Sequence, residues 1–156
     1  LTILMTDGYW SDGDTASNVG NQDGTPGLTI LRPEGDSGEN YKYEPVGPFS
    51  DSNSTTLADV AMKYWKNDLR PTLANNVPSD LYVNPAFWQH MVTFGVGLGV
   101  TGKVVPKNAF DAVGPKTVIS WDSPFAGDTD AKNSAKIDDL LHASLNSRGG
   151  FFTAEK

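Results

Sequence analysis

A chain of 156 residues with a net charge of -7 has room for one domain with a real core, and its apolar and charged fractions exclude the disordered and collagen-like classes. The excess acid, and twelve Lys and Arg that are scattered rather than grouped, argue against a nucleic-acid or anionic-membrane partner, either of which needs a basic patch. The absence of cysteine removes disulfides and thiolate metal sites, and no apolar run approaches the roughly 20 residues of a membrane span.

The first stretch, Leu1 to Trp10, carries apolar side chains on both pleat faces, which predicts a central strand covered on each side by helices. The Asp7-Gly8 step stops it. Ligands gather beyond the carboxyl ends of the strands in an open parallel sheet, so Asp7 stands where a ligand-facing carboxylate would stand. A chain that opens inside a core strand also reads as a piece of something longer, with any targeting signal upstream. Ser11 to Gly27 is polar and aperiodic. Its Asp12-Gly13-Asp14 run invites a cation, because hard cations want clustered oxygens; the glutamate that closes an EF-hand loop of about twelve residues is missing, and a solvated Asx-turn loop is the competing reading.

Leu28 to Arg32 and Asn40 to Val46 flank a Pro-Glu-Gly-Asp turn and suggest a hairpin projecting from the domain. A helix follows from about Leu57 to Leu69, with Leu57, Val60, Ala61, Tyr64, Trp65 and Leu69 forming one apolar stripe. Thr56 and Asp59 resemble a capping box. Asp51, Asn53 and Thr55 alternate like cation ligands but are explained by turn and capping chemistry. Ala86 to His90 reads as one helical turn.

Met91 to Val100 is the second strong strand. Its alternate face carries Gly95, Gly97 and Gly99, which predicts a helix or backbone packed very close. A glycine-rich phosphate cradle is the weaker alternative, because these glycines alternate within a strand and open no helix. Thr101 to Pro115 reads as turns around an apolar patch and Thr117 to Trp121 as a short strand. The last helix runs from about Ala135 to Asn146, capped by Ser134, with Ile137, Leu140, Leu141 and Leu145 inward and Asp138-Asp139 on the polar face of its first turns. Arg148-Gly149-Gly150 ends it, and Phe151-Phe152-Thr153 begins a final strand. Strand, insert, helix, strand, insert, helix, strand is the order of a doubly wound α/β sheet.

Catalytic constellations are hard to assemble. No Gly-x-Ser-x-Gly elbow occurs, and the two histidines, His90 and His142, fall in separate segments where packing or capping is their commoner use. The adjacent pairs Tyr9-Trp10, Tyr64-Trp65 and Phe87-Trp88 raise a sugar platform; for Tyr64-Trp65, on the helix stripe, core packing is the simpler role.

Ile3-Leu4-Met5-Thr6-Asp7-Gly8, the Leu57 helix, Val92 to Gly99 and the Ile137 to Phe152 helix-strand pair together resemble the later half of a von Willebrand factor A domain. More narrowly, Thr6-Asp7-Gly8-Tyr9-Trp10, Thr56 to Met62, Asp68-Leu69-Arg70-Pro71 with Asn75-Asn76-Val77-Pro78, Phe87 to Phe94 running into Gly97-Leu98-Gly99, and Lys136 to Leu140 with His142-Ala143 and Arg148-Gly149 resemble the type IV pilus tip-associated adhesin family, PilY or PilC.

The resemblance implies an α/β, Rossmann-like open sheet, an incomplete domain over residues 1–156 with an insert at about 11–55. It implies a non-enzymatic part of a secreted or outer-surface protein that reaches the pilus tip by way of the periplasm. Its role would be pilus assembly, surface attachment and motility, with minor pilus subunits or a host or surface receptor as partners. In the type A domain, a metal-ion-dependent adhesion site draws oxygens from an Asp-x-Ser-x-Ser loop, a threonine loop and the aspartate of a Thr-Asp-Gly turn. Only Asp7 has that counterpart here, with Asp12 and Asp14 as further candidates, so magnesium or calcium is expected in the intact domain and not in this stretch alone. The alternatives are a metal-dependent hydrolase using Asp7 with the acids around Asp12 and Asp14, and a structural domain whose site has lost its metal. Upstream sequence with Asp-x-Ser-x-Ser would favour adhesion, and a histidine and carboxylate cluster there would favour hydrolysis.

Overall fold

The computed structural model describes residues 1–7, 18–125 and 130–154, without the side chains of 130–133. Six elements follow in order: β1 (Thr2–Thr6), α1 (Leu57–Lys66), β2 (Thr93–Leu98), α2 (Pro106–Asp111), α3 (Asp130–Asn146) and β3 (Phe151–Ala154). The strands form one parallel sheet in the order β1-β2-β3, with Ile3 opposite Phe94 and Val96 opposite Phe152. Crossovers between parallel neighbours are right-handed, so two steps in the same direction put both helices on one face. Accordingly α1 packs on α3, and α3 packs on β2.

The other face of the sheet is uncovered among the described residues. Ile3 is 62% exposed, Met5 65% and Phe152 57%. This corrects the expectation of a central first strand sandwiched by helices: β1 is an edge of the three-stranded sheet, and β2 is its centre. Of the three strand glycines, Gly95 is the one that close packing demands. A Cβ there would lie 2.7 Å from Ser144 Oγ and 3.0 Å from Leu140 Cγ, both on α3. Gly97 would meet ordinary contacts, and Gly99 is needed for its turn, at φ +68°.

The core is aromatic. Trp65 of α1 and Trp88 are fully buried, their rings 5.5 Å apart and crossed at 63°, and the Trp88 indole donates to the Trp65 carbonyl at 2.8 Å. Tyr41 and Tyr43 lay their rings edge-on to Trp65 at 5.9 and 6.3 Å. These tyrosines belong to the segment expected to project as a hairpin. It pairs only through the Ile30–Tyr41 bridge and a neighbouring Gly27–Tyr43 bond, and it lies on the core rather than projecting from it.

Other boundaries moved. The first helix stops at Lys66, and its buried side is Ala58, Asp59, Ala61, Met62, Trp65 and Lys66, a rotation away from the expected stripe that leaves Tyr64 exposed. The Thr56/Asp59 capping box is present. The turn-rich stretch after β2 contains α2, started by Pro106 at its first position, where a missing N–H costs nothing. Residues 117–121 are not a strand, residues 86–90 make no helical turn, and α3 starts at Asp130, which places Ser134 inside the helix rather than at its cap.

Candidate functional site

Asp7 follows β1 directly, one residue beyond the Thr6–Gly97 pair, and is exposed at the carboxyl end of the sheet. Nearby, the backbone turns at Gly99, whose N–H donates to the carbonyl of Ala154 at 2.9 Å, so the three strand ends lie side by side. Asp12, Asp14 and the Tyr9-Trp10 pair lie outside the described residues. Among the described residues no group of three His, Asp or Glu side chains could hold a metal ion. A hard cation needs about six oxygens, so the described part of this chain supplies Asp7 and too few partners for it; no chemistry is built on a metal here.

The polar side chains that the fold does bring together radiate from α3. From Ala135 to Ser147 every residue of this segment is buried, including Asp138, Asp139, His142, Ser144, Asn146 and Ser147. Buried polar groups are as a rule hydrogen-bonded; Ser144 donates back to the Leu140 carbonyl of its own helix at 2.9 Å, and the others reach neighbouring segments. Asp138 accepts the amides of Lys103 and Val104 at 3.1 and 3.0 Å and fixes the turn after β2. Asp139 accepts the amides of Leu57 and Ala58 at 3.0 and 2.9 Å, capping the positive end of α1 from a neighbouring helix. Ser147 accepts the Thr93 amide at 2.9 Å at the start of β2. These two carboxylates are therefore not on a solvated face, as the acid-rich first turns suggested.

The insert is fastened by the same helix. Asp23 is fully buried; its Oδ1 accepts the Asp51 amide at 3.0 Å and its Oδ2 accepts Asn146 Nδ2 at 2.9 Å, while its carbonyl accepts the Tyr43 hydroxyl at 2.7 Å. His142 stacks on Trp121 with ring centres 4.1 Å apart and planes nearly parallel, and its Nε2–H donates to the Phe49 carbonyl at 2.7 Å. Its Nε2 is 3.7 Å from Asp23 Oδ2 and its Nδ1 is 3.7 Å from Asp51 Oδ2. On α1, Asp59 completes the cap and also accepts the Gln22 amide at 2.6 Å, while Lys66 Nζ donates to the carbonyls of Gln22 and Thr25 at 2.5 and 2.9 Å.

Burial sets the protonation of this cluster. It pushes the Asp23 carboxyl up to about 8, against the pull of the Asp51 amide and with the help of the Asp51 and Asp59 carboxylates. It pushes Asp139 up to about 7, opposed by the two amides it caps, and drives His142 down to about 4, so that the imidazole is neutral. Desolvation also lowers the Lys66 ammonium, with Asp23 and Asp59 opposing. The arrangement is that of a lock: most of its hydrogen bonds go to groups from distant parts of the chain, with Asn146 Oδ1 a buried acceptor left without a partner among the described residues. His90 is likewise a packing histidine, held by the Trp88 carbonyl at 2.7 Å and by Asn84 Nδ2 at 2.9 Å. Sequence patterning could not find this cluster, because the acids of the insert look like solvated loop residues until their partners on α3 are known.

No helix among the described residues is long and apolar enough to cross a membrane. No family model matches the chain, and no solved structure matches it. Three curated proteins match it along almost all of its length. It is 37% identical over 98% of its residues to the type IV pilus biogenesis factor PilY1 of Pseudomonas aeruginosa strain UCBPP-PA14, and 39% identical over the same share to PilY1 of strain PAK. The chain spans 14% of the length of these relatives. A likeness of this extent, which takes in the insert as well as the strands and helices, makes the chain a relative of one segment of PilY1, a type IV pilus biogenesis factor.

Proposed function

We propose that this chain is the later part of a von Willebrand factor A-like domain in a type IV pilus biogenesis and adhesion factor. It acts without catalysis at the cell surface or pilus tip. The observation that carries the reading is the 37% identity to PilY1 over 98% of the chain. Two structural features support it. An open parallel sheet with its helices on one face leaves the opposite face apolar and bare, as half of a doubly wound domain would. Asp7 ends an edge strand at the carboxyl rim, where the aspartate of an adhesion site belongs.

In this reading the upstream part of the domain covers Ile3, Met5 and Phe152 and brings the remaining oxygens to Asp7. Magnesium or calcium held there keeps an open position for an acidic group of the partner, either a minor pilus subunit or a surface receptor. The test is genetic. Deleting this segment from the parent protein, or replacing Asp7 by Ala, is expected to reduce surface pili counted by electron microscopy, the deletion more than the substitution. Unchanged piliation and attachment in the deletion strain would overturn the proposal, as would turnover of a generic phosphate ester that disappears in Asp7→Ala.

A further inference from the structure

The insert presents an unused backbone edge. In the segment from Gly27 to Arg32, bounded by Pro26 and Pro33, Ile30 exchanges both of its main-chain hydrogen bonds with Tyr41, at 2.7 and 3.0 Å, and its side chain is buried in the core. The main-chain groups of successive residues in an extended chain point to opposite sides, so those of Thr29 and Leu31 point away from Tyr41. The Leu31 carbonyl accepts Asn75 Nδ2 at 3.2 Å. The Thr29 N–H, the Thr29 carbonyl and the Leu31 N–H have no partner among the described residues.

That edge faces a groove of about 360 Å³, with Leu28 to Leu31 along one side and Asn67, Asp68, Pro71 and Asn75 along the other. Asn75 fixes the orientation, because it both lines the groove and holds the outward carbonyl of Leu31. Leu28 is 77% exposed and Leu31 63%, although they flank a core residue. Asp68 is the carboxylate of the far wall, where its Oδ1 accepts the Arg70 amide at 2.8 Å. The Lys66 ammonium, at the same groove, is already spent on the carbonyls of Gln22 and Thr25. A short row of donor, acceptor and donor at strand spacing, beside exposed leucines, is a template for another extended chain.

We infer that this edge takes a short extended segment of a partner polypeptide, which adds an antiparallel strand beside Thr29 to Leu31. One residue of the partner exchanges both main-chain hydrogen bonds with Thr29, and the carbonyl of the residue two positions before it accepts the Leu31 N–H. Apolar side chains of the partner cover Leu28 and Leu31, and a basic one meets Asp68. The net charge of -7 favours such a basic segment over a second copy of this chain. Because Ile30 is anchored in the core, the edge is ordered beforehand and binding orders only the partner. The groove shares no residue with the rim at Asp7, so the inference stands apart from the adhesion reading.

The test titrates the acetylated, amidated pentapeptide Thr-Val-Lys-Val-Thr into this chain and follows the backbone amide signals of Thr29 and Leu31 by NMR. One control is the same peptide N-methylated at its central residues, which lacks their main-chain donors, and the other is Thr-Val-Glu-Val-Thr. The expected result is a saturable shift of both signals, with binding roughly tenfold or more weaker for the N-methylated peptide and about threefold or more weaker for the Glu peptide. Thr29→Pro removes one outward donor and spares the Ile30–Tyr41 pair, since proline is tolerated where a strand N–H faces away from its neighbour. It should weaken binding about tenfold and leave the Tyr41 amide signal in place. Asp68→Asn, which keeps an acceptor for the Arg70 amide, is the second variant and should bring the Lys and Glu peptides to equal affinity. The inference is overturned by any of five results: no shift at Thr29 and Leu31, equal binding of the N-methylated peptide, equal binding of the Lys and Glu peptides to the unaltered chain, full binding to Thr29→Pro, or signals that move with protein concentration alone, which would mark pairing between copies.

Discussion

Asp139 joins two helices with a single carboxylate, because the first amides of α1 have no partner in their own helix and find both oxygens of a residue on α3. Asp139→Asn retains the shape but turns an N–H₂ group toward an N–H donor. It should destabilise the chain by about 1–3 kcal/mol in urea unfolding, the cost of a buried donor left unmade. Asp23 makes a different prediction. Its carboxyl keeps a proton up to about pH 8 in the folded chain and loses it near 3.8 when unfolded, so its contribution to stability falls as pH rises through that window. His142 works in the opposite sense. Its folded value near 4 lies below its unfolded 6.5, so it removes stability as pH falls from 6.5 toward 4. Between pH 7 and 8 the Asp23 loss dominates, at up to about 1.4 kcal/mol per pH unit, with a smaller loss from Asp139, whose carboxyl is pushed up to about 7. Urea midpoints should therefore fall over pH 7–8, and fall much less in Asp23→Asn; a wild-type profile that rises there, or an equal fall in the variant, would refute the assignment.

At the scale of elements, the regular parts were legible in the sequence and the tertiary parts were not. The Thr56/Asp59 cap was readable because its chemistry is local, three residues apart, and β3 after Arg148-Gly149-Gly150 because glycines and apolar runs punctuate the chain. Gly95 was readable as a close approach, and Gly95→Val should destabilise the chain by several kcal/mol or prevent folding, since the added carbons meet Ser144, Leu140 and Phe151 of the α3–β3 unit. The same replacement at Gly97 should cost much less, a comparison that thermal melting can make directly. What could not be read was the inward side of α1, where Asp59 and Lys66 replace Leu57 and Tyr64. Polar residues become core residues only through partners more than thirty positions away, such as the Gln22 amide and carbonyl. The insert was misread for the same reason: Tyr41 and Tyr43 belong to the core because Trp65 and Trp88 stand there to receive them.

For the whole molecule, the candidate site was legible in one respect, the place of Asp7 at the rim of a parallel sheet. Its partners were not, since the proposed adhesion site would gather oxygens from several loops, and Asp7 is the candidate ligand that falls in the described residues. The bare sheet face gives the proposed domain a structural test. Ile3→Lys should change the stability of this chain by no more than about 0.5 kcal/mol, because Ile3 is 62% exposed. In the same segment extended upstream through the rest of the proposed domain, it should destabilise by well over 1 kcal/mol, because the lysine would then be buried against the covering helices. The central claim is tested most directly by calorimetric titration of magnesium and calcium into that extended protein, with Asp7 intact and with Asp7→Ala. The proposed adhesion site predicts one saturable site that disappears in Asp7→Ala, whereas equal binding by both proteins would contradict it.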